Sequence, residues 1–169
     1  MLSFNPLVRA VLMAAALLAT SAIGACTFAP VYSGTLAQTP HIPMAYAKPQ
    51  NRLAQIVNQE LALRLGTSST ATAPLAQVVA TSAVRALTRS QTVNPNRAYE
   101  ISVTATLTIT ARDGTDAKPL SFTRTATAQF SSSGQVLAAT EANIEAGERA
   151  ARAVAESLRM AVLAQLSRR

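Results

Sequence analysis

One thiol, Cys26, and one imidazole, His41, are the only cysteine and histidine that this chain of 169 residues offers for covalent or metal chemistry. A zinc cluster or a Ser-His pair needs more than that, and His41 lies in a segment punctuated by Pro40 and Pro43. Asp113 and Asp116 flank Gly114, an arrangement that forms turns and is too short and too poor in ligands for a calcium loop. No glycine-rich loop suited to cradling phosphate is present. The reading is therefore of a binding or assembly protein, with no catalytic residues, no metal and no cofactor.

Cys26 is informative through its position. Residues 1–25 read as a secretory leader: Arg9 and the start amine supply the positive region, and Ala10 to Ala22 is a nearly unbroken run of Ala, Leu, Val and Met. These 13 residues would span roughly 20 Å as a helix, short of the ~30 Å of a hydrocarbon core. Ile23-Gly24-Ala25-Cys26 resembles a bacterial lipobox, an aliphatic residue and two small ones before a cysteine that is acylated and becomes the mature N-terminus. Ordinary cleavage of a soluble export signal, with an incidental cysteine, is the alternative. Each buried methylene contributes about 0.8 kcal/mol, so several acyl chains would anchor the protein to a membrane firmly. Thr27, where some lipoproteins have Asp, permits delivery to the outer membrane by resemblance to Gram-negative sorting.

The mature chain, Cys26 to Arg169, is of a size that suits one domain. It contains no second cysteine, so its core must hold by packing alone. Loss of Arg9 with the leader leaves 14 Lys and Arg against 8 Asp and Glu, a formal +6. Such a surplus suits a polyanion, and for an exported, anchored protein that means phospholipid head groups or lipopolysaccharide. With no Trp and 4% aromatic residues, nothing suggests base stacking, so no nucleic acid is expected. Simple solubility charge is the alternative.

Five elements must position these residues, after a tether that holds a short strand of its own. Residues 26–50 carry Pro30, Pro40, Pro43 and Pro49. Within them Ile42, Met44 and Tyr46 alternate as a short strand, which Pro43 would confine to a sheet edge. Residues 51–169 complete the domain. Asn51 to Leu65 reads as a helix, with Leu53, Val57, Leu61 and Leu65 in line and Gly66 after its end. Leu75 to Ser90 fits a strand, with or without a bulge, and a helix is the alternative. Tyr99 to Arg112 alternates apolar with polar residues over its whole length, the pattern of a half-buried strand. Asp113-Gly114 turns the chain, and Leu120 to Phe130 returns it. Arg124 falls in the apolar register there, implying a bulge, an edge or a function. Ala138 to Ser167 reads as a helix with the stripe Ile144, Ala151, Val154, Leu158, Val162 and Leu166, and Gly147 on or near it for close approach to the sheet. The order β-α-β-β-β-α predicts an α/β (α+β) fold, a small mostly antiparallel four-stranded sheet with two helices on one face and Thr and Ser on the other.

The segments together carry a resemblance. Cys26-Thr27-Phe28-Ala29-Pro30-Val31-Tyr32 resembles the Cys-Gly-Phe-x-Pro-Leu-Tyr opening of the alphaproteobacterial lipopolysaccharide-assembly lipoproteins, the LptE family, with Thr27 in place of Gly. Leu61-Ala62-Leu63-Arg64-Leu65-Gly66 is similar to the end of that family's first helix, and Arg97-Ala98-Tyr99 to the start of its alternating strand. Glu148-Arg149-Ala150-Ala151-Arg152 and Ala155-Glu156-Ser157-Leu158-Arg159 are similar to its last helix. The family's Ser-Tyr-Asn before that helix appears here only as Phe130-Ser131-Ser132. The resemblance implies an outer-membrane lipoprotein facing the periplasm, which plugs the large β-barrel subunit of the lipopolysaccharide translocon (LptD-like), assists its assembly and contacts lipopolysaccharide. On that reading Cys26 carries the acyl anchor, and Arg97, Arg112, Lys118 and Arg124 are candidates to pair with lipid A phosphates, with Arg85 and Arg89 behind them. The alternative function is an auxiliary lipoprotein of a periplasmic phospholipid ABC transporter.

Overall fold

The computed structural model describes residues 41–87 and 97–167. The leader, Cys26, most of the tether and Arg89 lie outside the described residues. The elements are β1 (Ala45–Tyr46), α1 (Arg52–Leu65), β2 (Leu75–Ala86), β3 (Arg97–Thr110), β4 (Leu120–Ser132) and α2 (Val136–Leu166). The strands form one sheet in the order β1-β2-β3-β4.

The sheet is mixed. β2, β3 and β4 are antiparallel as expected, but β1 runs parallel to β2 at the edge. A parallel neighbour needs a crossover, and α1 supplies it between β1 and β2. β1 is shorter than its alternation suggested. Pro43 has no amide to donate, the Ile42 amide donates to the Leu65 carbonyl, and Met44 accepts from the Ser68 amide while bridging to Thr67. Only Ala45 and Tyr46 remain to pair with β2.

The long strands keep an unbroken register. Leu75 faces Thr110 and Ala86 faces Tyr99 across β2 and β3, while Arg97 faces Ser132 and Ile109 faces Leu120 across β3 and β4. No bulge interrupts either ladder, so β2 needs none and Arg124 is not re-aimed by one. β3 begins at Arg97, two residues before its expected start, and ends at Thr110, which leaves Arg112 in the loop that follows.

Because side chains alternate, one face collects Ala76, Val78, Ala80, Ile101, Val103, Ala105 and Leu107, all buried. Both helices cover that face. Asn51 sets the start of α1: its Oδ1 accepts from the Ala54 amide at 2.8 Å, and its Nδ2 donates to the Ala80 carbonyl at 2.8 Å. One side chain thus caps the helix and fixes it to β2. Gly66 ends α1 at φ 97°, where a side chain would be strained.

α2 has 31 residues, about 46 Å at 1.5 Å each, enough to cross the whole sheet. Its stripe is small where the helix lies closest, with Ala146, Gly147, Ala150 and Ala151, and larger later, with Leu158, Val162 and Leu163. A Cβ on Gly147 would stand 3.3 Å from Ile101 Cδ1 and 3.6 Å from Leu53 Cδ2, so the glycine does permit the close approach. Ile144, expected on the stripe, is 50% exposed. It belongs to the early turns of α2, and burial begins only at Ala146. Arg52–Glu148 at 3.2 Å and Arg64–Glu156 at 3.5 Å join the helices side by side in the same sense.

Candidate functional site

The uncovered face of the sheet is a field of hydroxyls. Thr104, Thr106 and Thr108 of β3 lie beside Thr125, Thr123 and Ser121 of β4. Thr104 and Thr125 share a hydrogen bond of 2.8 Å, and Thr106 and Thr123 one of 2.9 Å. Ser102 donates to the Ala83 carbonyl at 3.3 Å. Side-chain hydrogen bonds across the strands hold these groups in fixed rows while their outer sides stay accessible. Val79, 43% exposed, stands on the same face opposite Thr106.

The candidate cations divide by place and by partner. Arg97 and Arg85 lie at one end of the sheet and Arg112 and Lys118 at the other, separated by β3, about 44 Å long at ~3.4 Å per residue. They cannot serve a single head group. Arg85 is already engaged, its Nε donating to Glu100 at 2.7 Å. Arg52, Arg64, Arg149, Arg152 and Arg159 are likewise paired with carboxylates. Among the described residues, Arg97, Arg112, Lys118, Arg124 and Lys48 form no ion pair. Lys48 was not singled out by any sequence pattern.

Arg124 is explained by its edge. Its Cα pairs with that of Ala105, yet its side chain is exposed and Nη1 donates to the Thr123 carbonyl at 2.8 Å. Arg149 reaches from α2 to the Gln129 carbonyl at 2.9 Å. Two guanidinium groups therefore occupy carbonyls of the outermost strand, a protection against unwanted strand pairing.

At the Arg112–Lys118 end lies a cavity of about 190 Å³. Ile42, Ile109, Leu120, Phe122, Val162 and Leu166 line it, with Lys118. Arg112 donates through Nε to the Ala73 carbonyl at 2.7 Å, which holds it next to Pro74 on the same wall. Sequence reasoning placed Ile109, Leu120 and Phe122 on the apolar face but missed the cavity, which exists only because the end of α2 and the segment at Ile42 meet there.

The titrations of Tyr46 and Glu156 are displaced by burial and by hydrogen bonding respectively. The Tyr46 hydroxyl is buried without a hydrogen-bond partner, and burial pushes it up to about 12. Hydrogen bonds from Arg159 hold the Glu156 carboxyl below its ordinary value, helped by the charges of Arg159 and Arg64 and opposed by burial. Among the described residues no three of His, Cys, Asp and Glu converge on a metal-sized site, and no helix is long and apolar enough to cross a membrane.

A mixed sheet with two helices on one face, an open hydroxyl face and unpaired cations at its ends defines a two-layer α/β domain. The particular family follows from the sequence: residues 38–162 match the model of LptE, lipopolysaccharide-assembly, and the chain belongs to that family. The fold has solved counterparts. A protein of Caulobacter crescentus described as a lipoprotein shares 17% identity at a TM-score of 0.51, covering 73% of this chain and 90% of that one. The rare lipoprotein B from Shewanella oneidensis shares 11% identity at a TM-score of 0.55, covering 73% and 93%. No curated protein matches the sequence significantly.

Proposed function

We propose that this member of the LptE family is an outer-membrane lipoprotein, anchored at the periplasmic face through acylated Cys26, that works within the lipopolysaccharide translocon. It plugs the large β-barrel subunit, assists its assembly and contacts lipopolysaccharide, and it turns over no substrate. The observation that carries the reading is the uncovered hydroxyl face of β3 and β4, in a chain whose family is lipopolysaccharide assembly. A barrel lumen is polar, and a flat face of hydroxyls exchanges hydrogen bonds with such a wall without burying unpaired charge. The unpaired Arg112 and Lys118 supply the groups that pair with phosphate.

Affinity purification of the tagged, lipidated protein from detergent-solubilised envelopes, with mass spectrometry of what accompanies it, tests the reading. A stoichiometric large outer-membrane barrel, crosslinked from positions on the Thr face, is the expected result. Recovery of an inner-membrane transporter, or of no partner, would remove it.

A further inference from the structure

We propose that the cavity at the Arg112–Lys118 end takes one acyl chain of an anionic lipid, whose phosphate sits at the two cations. The proposal rests on the reading above for the identity of the lipid, lipopolysaccharide, and on the structure for the site. Three observations carry it. The first is size and polarity: at about 190 Å³ and lined almost wholly by hydrocarbon, the cavity exceeds the roughly 150 Å³ that suffices for benzene in an apolar protein cavity. The second is how the core ends. Leu107 is completely buried, but the next inner-face residue, Ile109, and Leu120 and Phe122 opposite are only half-buried. Apolar side chains left open to a concave space gain by receiving hydrocarbon, about fourfold in affinity for each methylene covered.

The third observation is charge. Lys118 is the one charged residue in the lining, and Arg112 is held at the Ala73 carbonyl beside it. Neither meets a carboxylate. Of the two acids in the same loop, Asp113 is turned into its own bend, accepting from the Thr115 amide at 3.1 Å and hydroxyl at 2.6 Å, and Asp116 is exposed. Hydrocarbon below and cations above match an anionic amphiphile. The chain's own acyl groups would fill the hydrocarbon part and leave the cations unused.

The test uses the full mature chain with Cys26→Ala, made without acyl groups of its own, and the methyl NMR signals of Val162 and Leu166. The probe is lauroyl lysophosphatidic acid below its micellar concentration. Monolauroylglycerol provides the chain without phosphate, and glycerol 3-phosphate the reverse. The lysophosphatidic acid should shift both methyls saturably, monolauroylglycerol should do so about tenfold more weakly for want of a charged hydrogen bond, and glycerol 3-phosphate should leave them unmoved. Ala117→Trp, at the exposed rim, should weaken binding at least tenfold, roughly the loss of two methylene contacts, with thermal stability unchanged. Lys118→Glu should weaken only the phosphate-bearing probe.

Unmoved methyls with every probe, or unchanged binding in Ala117→Trp, would overturn the site. Binding by the Cys26→Ala chain but not by the acylated protein would make the chain's own anchor the occupant and overturn it equally. Displacement of the probe by lipid A supports lipopolysaccharide as the lipid; failure to displace overturns that identity. Absence of a barrel in the purification above would leave these NMR outcomes untouched, so the two readings fail separately.

Discussion

Along β3, Val103, Ala105 and Leu107 are fully shielded, while Thr104, Thr106 and Thr108 between them keep contact with solvent. The two sets share one backbone and one pair of neighbouring strands, and differ only in which face the pleat assigns them. The inner set meets α1 and α2 and carries the stability of the domain. The outer set meets neither helix, and the Thr104 and Thr106 hydroxyls bond laterally to Thr125 and Thr123 of β4. A sheet built this way can take a partner on one face without disturbing the packing on the other.

The comparison breaks most strongly at Leu107. Truncation to Ala leaves a cavity beneath both neighbouring strands and should cost about 3 kcal/mol in urea unfolding. Thr106→Ala, one residue away, should stay within about 0.5 kcal/mol. Equal losses at the two sites would mean that the outer face also carries the fold. Next in size is Asn51→Ala, which removes the α1 cap and the bond to Ala80 together and should cost about 2 kcal/mol. Asn51→Asp keeps the capping oxygen and loses the donor, so it should fall between the two.

The inner and outer sets of β3 were legible in the sequence because a period of two over β-branched residues admits one interpretation. β2 was less so. Its inner residues are Ala76, Val78 and Ala80, too small to stand out, and Val79 beside them points outward, so the pattern blurred between strand and helix. Ile144 matched the helical stripe by spacing, but spacing does not say where a covering layer begins. The cations were legible as charges and not as a site. Whether each one meets a carboxylate, as Arg85 meets Glu100 and Arg112 does not, depends on the register of strands distant in sequence. The cavity draws on residues from Ile42 to Leu166, a grouping that only the folded chain assembles.

Tyr46 gives a smaller effect at the sheet's β1 edge. Its folded-state value, raised to about 12 from 10.0, means that folding favours the neutral phenol. The stability it contributes is full below pH 10 and is lost as pH rises from there towards 12. After allowance for partial exposure the loss should be about 1 kcal/mol. Urea midpoints measured across that range should fall more steeply for the native chain than for Tyr46→Phe. Parallel curves would mean that the hydroxyl finds a partner in solution.

The smallest expected change in stability is also the one that sharpens the comparison furthest. Thr104→Lys with Thr106→Lys replaces two hydroxyls at the centre of the open face by charges that can reach water, and should alter folding by no more than about 0.5 kcal/mol. Against a barrel wall the same two ammonium groups would be stripped of water without a partner, a penalty of several kcal/mol. Unchanged unfolding together with loss of the co-purifying barrel would assign the outer face to assembly alone. Retention of the barrel would show that the hydroxyl face remains in water in the assembled state, and would move the contact to the ends of the sheet, where Arg97 and Arg112 stand unpaired.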